Sequence, residues 1–166
     1  MSRLIIVCGL PGTGKSTFAA SLSAAMDAIH LNTDKVRSDL DRRGHYSRED
    51  KALIYDILLQ TTREKVKNGE LVVLDGTFYR QALRKPFIAL AEELNAQVHW
   101  FEVIASEAVV RERVARQRPY TEADFQVYRK IKDAYDPLVI PHLVLDSELL
   151  SPAEMVSTAM EYLKNR

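Results

Sequence analysis

The chain has 166 residues, of which 46% are hydrophobic and 28% charged, so we expect residues 1–166 to form one globular domain with a full core. Its 23 basic and 23 acidic residues give a net charge of zero, which argues against a protein that mainly grips duplex nucleic acid through phosphates. The sequence has no apolar run of membrane-spanning length, and its one cysteine, Cys8, lies in an apolar segment. We therefore expect a cytoplasmic protein without a membrane partner.

The most informative segment follows the first predicted strand. Residues 3–8 are mostly apolar, as in a buried parallel strand, and residues 9–16 then match the phosphate-binding pattern G-x-x-x-x-G-K-[ST]. The glycines let backbone N–H groups turn towards an anion, Lys15 places a charge against the β- and γ-phosphates, and Ser16 offers a hydroxyl to Mg²⁺. The predicted ATP-binding residues of this loop are Gly9, Pro11, Gly12, Thr13, Gly14, Lys15, Ser16 and Thr17.

Strand-like and helix-like segments alternate along the rest of the chain. The further predicted strands cover residues 28–31, 71–74, 98–104 and 142–145. Helices are predicted after a capping box at 47–50, over 80–95, from 106 to about 116, after a second capping box at 121–124, and after residue 151. In the long helix after residue 47, the inner face is predicted to hold Leu53, Ile54, Ile57, Leu58 and Val66.

This alternation predicts an α/β fold with a five-stranded parallel sheet covered by helices on both faces. Ligands of such sheets bind at the carboxyl ends of the strands. The chemistry is therefore expected in the loop at 9–16, at 32–37, at 75–79, after residue 104 and at 146–147.

Asp75 directly follows the third predicted strand. A carboxylate there can hold Mg²⁺, or a water bound to it, opposite Ser16, so both residues are predicted metal ligands. The alternative is that Asp75 only caps a helix, since Gly76 and Thr77 follow it.

Asp34 and Arg37 follow the second predicted strand and are three residues apart, which places them on the same side of a helical turn. A carboxylate beside a guanidinium suits a phosphoryl-acceptor site, where Asp34 takes the proton of an attacking hydroxyl and Arg37 binds an anion on the acceptor. The alternative is a surface ion pair that contributes well under about 1 kcal/mol.

Four arginines at positions 111, 113, 116 and 118 stand close together after the fourth predicted strand. Because like charges repel at this density, an anion among them is expected, and beside a phosphate loop that anion is the phosphoryl group in transfer. The alternative is a solvated basic face of a helix.

Five segments of the chain together resemble the small P-loop kinases that include predicted ATP-dependent kinases, polynucleotide 5′-hydroxyl kinases, zeta toxins and gluconate kinases. The segments are GLPGTGKS at 9–16, NTDKVR at 32–37, LDGTF at 74–78, RERVAR at 111–116 and TEADFQVY at 121–128. The resemblance implies a P-loop NTPase-type three-layer sandwich with a helical lid at about 113–124.

The resemblance also implies roles for single residues. Asp34 matches the family's general base and Arg37 its acceptor-binding arginine, with Thr77 beside them on the acceptor side. Arg113 and Arg116 match the arginines that flank the adenine and close the lid, so we expect Arg113 to bind ATP and Arg116 to contact the transferring group.

A second, weaker resemblance is to adenylyl-sulfate kinases, through residues 33–37 and 46–50 and the long helix that follows. Their basic lid signature is missing, and GTFY stands at 76–79 where they carry a phenylalanine-isoleucine-serine-proline run. Adenylyl sulfate therefore stays an alternative acceptor.

Together, these patterns predict a Mg²⁺-dependent kinase in which Lys15, Asp34 and Arg116 are catalytic and the γ-phosphoryl group of ATP moves to a hydroxyl. The acceptor is a 5′-OH polynucleotide end or a small metabolite. The alternatives are a nucleotide-hydrolysing ATPase or GTPase switch and a nucleotide-binding module without catalysis. Two observations disfavour the switch: Gly76 stands where a water-positioning glutamine or glutamate is expected, and the guanine-specific N-K-x-D motif is missing.

Overall fold

The structure, a computed structural model, describes residues 3–116 and 122–166, with the side chains of all of these except 122–124. The described chain has five strands, each followed by one or two helices, seven in all. They are β1 Arg3–Cys8, α1 Lys15–Met26, β2 Ile29–Asn32, α2 Thr33–Asp39, α3 Arg48–Lys67, β3 Val72–Asp75, α4 Gln81–Glu93, β4 Gln97–Ile104, α5 Glu107–Arg116, α6 Glu122–Asp133, β5 Leu143–Asp146 and α7 Pro152–Lys164.

The sheet has the strand order β2-β3-β1-β4-β5, and every neighbouring pair is parallel. One apolar core joins α1 and α7 to one face of the sheet, and a second joins α3 and α4 to the other face. The predicted three-layer α/β sandwich of the P-loop type is confirmed. Arg118 and Thr121, and with them the start of the second capping box, lie outside the described residues.

The inner face of α3 differs from the prediction at one position. Leu53 was expected to face the core, but it is 39% exposed, and Tyr55 is buried instead beside Ile54 and Leu58. The buried arc of α3 begins at Ile54 and Tyr55 and continues through Leu58, so Leu53 falls just outside it. The burial of Tyr55 brings its hydroxyl to the edge of the sheet where the cleft lies.

A third, smaller cluster holds α5 and α6 against the phosphate loop. Val110 and Val114 of α5 pack with Phe125 and Tyr128 of α6, and Leu10 of the loop packs against this cluster. A Cβ atom at Gly12 would lie 2.9 Å from the Cγ1 atom of Val110, so the loop and α5 are in close contact. No helix within residues 3–116 and 122–166 has the length and apolarity needed to cross a membrane.

Candidate active site

The phosphate loop connects β1 to α1 and has the conformation that the motif predicts. Gly14 adopts a φ of 92° immediately before the first residue of α1, which is Lys15. A Cβ atom at Gly9 would lie 2.4 Å from the carbonyl oxygen of Val103, so only glycine fits there. Lys15 Nζ lies 3.4 Å from the carbonyl oxygen of Leu10 at the other end of the loop. The loop therefore surrounds a space for an anion, and the Lys15 ammonium can donate hydrogen bonds to an anion bound there.

A cleft of about 450 Å³ opens beside this loop and runs across the carboxyl ends of β2 and β3. It brings together most of the predicted site residues, from both the nucleotide side and the acceptor side. They are Pro11, Gly12, Gly14, Lys15, Ser16, Thr17, Asp34, Arg37, Asp75 and Thr77. Four predicted residues do not line it: Gly9, Thr13, Arg113 and Arg116.

Asp75 ends β3 at the floor of the cleft and is fully buried. Its Oδ2 accepts a hydrogen bond of 2.6 Å from Asn32 Nδ2 and lies 3.2 Å from His30 Nε2. Burial alone would raise the pKa of Asp75, but the hydrogen bonds from His30, Asn32 and Ser16 and the charge of Lys15 outweigh it, so the pKa lies below its usual value. Asp75 is therefore held as a carboxylate.

The other carboxylate oxygen of Asp75 is unpaired. Oδ1 is buried and has no hydrogen-bond partner among the described residues, which is costly unless a ligand or water meets it. The next helix, α4, begins only at Gln81, so the helix-cap interpretation of Asp75 is wrong.

These groups fit a magnesium ion held largely by the nucleotide. The described residues contain no cluster of three or more His, Cys, Asp or Glu side chains that could hold a metal. Mg²⁺ commonly takes only one or two protein oxygens and completes its octahedron with phosphates and water. The Ser16 hydroxyl and the unpaired Oδ1 of Asp75 are the oxygen ligands that the described residues offer to such an ion.

Asp34 and Arg37 lie on the first helical turns after β2 and form the predicted pair, with Arg37 Nη1 donating to Asp34 Oδ1 at 3.0 Å. The two side chains differ in exposure: that of Asp34 is 77% exposed and that of Arg37 only 7%. The guanidinium lies 4.6 Å from the ring centre of Tyr46, and its buried Nε has no partner among the described residues. The surface-pair interpretation therefore does not describe Arg37.

Sequence reasoning missed several residues of the acceptor side. Asn32 and Tyr79 lie in the predicted segments at 32–37 and 75–79 but were given no role, and His30, Lys51 and Tyr55 were not predicted; all of these but His30 line the cleft. The Tyr55 hydroxyl accepts from the backbone N–H of Phe78 at 3.0 Å and lies 3.4 Å from Thr77 Oγ1, and burial raises the pKa of Tyr55 to about 12. Lys51 Nζ donates to the Tyr79 hydroxyl at 3.2 Å.

The described arginines of α5 have different contacts. Arg111 lies over the ring of Phe125, 3.9 Å from its centre, and its place in an anion-binding cluster stays a prediction. Arg113 donates to the carbonyl oxygen of Thr13 at 3.0 Å and to Ser147 Oγ at 2.8 Å. Arg116 is exposed and pairs with Glu112. Arg113 thus contacts the phosphate loop at Thr13 and does not line the cleft.

Comparison with known proteins gives the family. Residues 4–138 match the model of a family described as "AAA domain". An uncharacterised protein of Mycobacterium tuberculosis is 31% identical over 124 residues, which cover 68% of this chain and 25% of that protein. The chain thus spans about a quarter of the length of the curated mycobacterial relatives that it matches.

Two further proteins are similar over nearly the whole chain. An adenylyl-sulfate kinase of Staphylococcus haemolyticus is 27% identical over 177 residues, with 99% of this chain and 85% of that protein covered. The crystal structure of a sugar kinase from a Janibacter species superposes with a TM-score of 0.78 at 17% identity, covering 99% of this chain and 95% of that one. The match to the family model over residues 4–138 shows that the chain belongs to the AAA-domain family, and the superposition shows that it has the fold of a small P-loop kinase.

Proposed function

We propose that the protein is a Mg²⁺-dependent kinase that transfers the γ-phosphoryl group of ATP to a hydroxyl of an anionic acceptor. The observation that carries this proposal is the position of the Asp34–Arg37 pair, which opens onto the same cleft as Lys15, Ser16 and Asp75. A protein that only binds or hydrolyses a nucleotide has no use for an exposed carboxylate and a buried, incompletely paired guanidinium opposite its phosphate loop.

The nucleotide side provides binding and charge stabilisation. The N–H groups of the loop and the N-terminal end of α1 bind the phosphates, and Lys15 neutralises charge that spreads over the γ-phosphoryl oxygens as it transfers. Ser16 and Asp75 would hold Mg²⁺, which would supply further positive charge to the phosphates. Arg113 is proposed to pack on the adenine, and Arg116 to contact the transferring group from α5.

The acceptor side provides the base and the anchor. Asp34 accepts the proton of the attacking hydroxyl as the oxygen–phosphorus bond forms and the bond to the β-phosphate oxygen breaks. The buried Arg37 guanidinium, with its free Nε, and the nearby ammonium of Lys51 favour an acceptor that carries phosphate, sulfate or carboxylate. A 5′-OH polynucleotide end and a sugar acid both meet this requirement.

Adenylyl sulfate is the second candidate acceptor, and the similarity to the adenylyl-sulfate kinase of Staphylococcus haemolyticus supports it. It also carries an anion next to a hydroxyl-bearing ribose, and the ring of Tyr46 at the mouth of the cleft offers a surface for a base to stack on. Because Cys8 is a free, buried thiol, we further propose that the protein works in the reducing cytoplasm.

The test is a screen of ATP consumption with purified protein over 5′-OH oligonucleotides, nucleosides, sugars, sugar acids, adenylyl sulfate and aminoglycosides. Transfer of labelled γ-phosphate to one anionic acceptor, lost in Lys15→Ala, is the expected result. Stoichiometric release of free phosphate with every compound would instead show a hydrolase. Preferred transfer to an uncharged acceptor would overturn the role of Arg37.

A further inference from the structure

Arg84, on the first turn of α4, does not line the cleft and is only 3% exposed. Its Nε donates to the carbonyl oxygen of Phe78 at 2.6 Å, and its Nη1 to that of Pro137 at 3.2 Å, while Nη2 donates to that of Asp136. The guanidinium also lies 5.4 Å from the ring centre of Tyr135. One buried charge thus bonds three backbone carbonyls from two distant segments.

The first segment is the loop of residues 76–80 between β3 and α4. Its Thr77 and Tyr79 line the acceptor side of the cleft. Between them, Phe78 takes a positive φ of 44° and its ring packs edge-on against Phe87 and Trp100 in the core. A non-glycine residue with this φ needs its surroundings to hold it there. The Arg84 bond to the Phe78 carbonyl and the Tyr55 bond to its N–H provide that restraint.

The second segment, residues 134–137, follows α6, whose Val127 and Ile131 also line the cleft. Other bonds join the same two segments. The backbone N–H of Asp136 donates to the Tyr79 carbonyl at 2.7 Å, and its carboxylate accepts from the backbone N–H of Gln81 at 2.9 Å, at the start of α4. This carboxylate therefore satisfies a free N–H of α4, since the N-cap residue Arg80 makes no side-chain cap.

We propose that Arg84 is a positioning residue that joins the acceptor wall of the cleft, built by Thr77 and Tyr79, to the C-terminal end of α6. The inference rests on the proposed function, because it takes the loop at 76–80 as the acceptor wall. Removing the guanidinium takes away its three bonds and leaves the loop and the end of α6 joined mainly through Asp136, so their connection is weakened while Lys15, Ser16 and Asp75 keep their places. The acceptor then binds to a wall that is no longer held in one position, and ATP binding stays intact.

The substitution Arg84→Lys tests this proposal, because lysine keeps the charge but lacks the planar fork that reaches both segments. Arg63→Lys is the matched control, since Arg63 pairs with Glu93 on the surface between α3 and α4. Hydrogen exchange is compared in the free protein and with AMPPNP and Mg²⁺. In Arg84→Lys, amides at 78–81 and 134–136 are expected to exchange at least about tenfold faster, with β1 and β3 unchanged.

A purely structural role would raise exchange across the sheet as well, and that result, like unchanged exchange in both segments, overturns the proposal. Asp136→Ala provides a second route if Arg84→Lys does not fold, because the Asp136 side chain is 37% exposed and its loss removes only the bonds to Gln81 and Arg80. It is expected to speed exchange in the same two segments. Unchanged exchange in both segments of a folded Asp136→Ala protein would likewise contradict the proposed connection between the loop at 76–80 and residues 134–137.

Kinetics with the acceptor from the screen provide the functional measurement. Arg84→Lys is expected to raise the KM for that acceptor at least about tenfold and to leave the KM for ATP within about twofold. An equal rise in both KM values would contradict a positioning role at the acceptor wall. The exchange experiment needs no acceptor. Failure of the kinase proposal can therefore be distinguished from failure of the proposed positioning role of Arg84.

Discussion

The side-chain amide of Asn32 bonds to Asp75 and also caps the helix that carries the acceptor pair. Its Nδ2 donates to Asp75 Oδ2 at 2.6 Å, and its Oδ1 accepts from the backbone N–H of Lys35 at 2.9 Å, at the start of α2. The parallel register of β2 and β3 places Asn32 directly beside Asp75. One residue therefore fixes the metal-side carboxylate and the helix of Asp34 and Arg37 relative to each other.

Two substitutions at Asn32 separate these roles. Asn32→Ser keeps a good helix cap but cannot reach Asp75, whereas Asn32→Ala loses both bonds. Both variants are expected to need more Mg²⁺ for half-maximal transfer, because Asp75 is no longer oriented. Asn32→Ala is expected to be less stable than Asn32→Ser by about 1 kcal/mol in urea unfolding. Wild-type Mg²⁺ dependence in both variants would show that Asn32 does not act on the metal side.

Lys15→Ala removes the point charge on the β- and γ-phosphates. Phosphoryl transfer is expected to be lost while circular dichroism and melting temperature stay close to those of the native protein, because the one hydrogen bond of Lys15 to the described residues is a long one of 3.4 Å. The control is Lys65→Ala, which removes an equal charge from a surface pair with Glu70. Unchanged turnover of Lys15→Ala at saturating ATP would rule out the kinase.

The fold could be predicted from the sequence because its signals are local. The alternation of strands and helices, the phosphate loop and the three-residue spacing of Asp34 and Arg37 all belong to short segments. The bonds of Asn32 and His30 to Asp75 could not be predicted, since they depend on which strands are neighbours and on their register. The Arg84 contacts join residues more than fifty positions apart.

The stability of the protein should depend on the charge of Asp75 at acid pH. The native pKa of Asp75 is lowered, while a carboxyl of this type in the unfolded chain titrates near about 3.9. Its contribution is therefore fully present above about pH 4 and is lost as the pH falls below that value towards the lower native pKa. Between about pH 4 and pH 3, the melting temperature of the wild type is expected to fall more steeply than that of Asp75→Asn.

A control for this pH dependence is Asp56→Asn, which removes one negative charge from an exposed position on α3. Parallel melting curves for the wild type and Asp75→Asn over this range would contradict the lowered pKa of Asp75.

Arg113 and Arg116 of α5 are expected to act on different kinetic constants. Arg116→Ala should lower kcat at least about tenfold if Arg116 contacts the transferring group. Arg113→Ala should mainly raise the KM for ATP, because Arg113 contacts the Thr13 carbonyl and Ser147 beside the phosphate loop. Arg129→Ala, which breaks an exposed pair with Glu107, is the control. Wild-type kinetics in both α5 variants would leave these arginines with a purely structural role.

Replacing Asp34 distinguishes a kinase from a hydrolase most sharply. Asn keeps the shape of the side chain and an oxygen for the bond from Arg37 Nη1, but it cannot accept a proton, so transfer is expected to fall on the order of 10²–10⁴-fold. Nucleotide affinity by calorimetry should stay near that of the native protein, because Lys15, Ser16 and Asp75 are untouched.

The control for Asp34→Asn is Asp39→Asn, which removes the same charge from the same helix at an exposed pair with Lys35. An exposed pair of that kind contributes less than about 1 kcal/mol and nothing to turnover, so Asp39→Asn should keep full activity. Full transfer activity in Asp34→Asn would show that another group takes the proton. Loss of ATP binding would instead assign Asp34 to the nucleotide or metal side of the cleft.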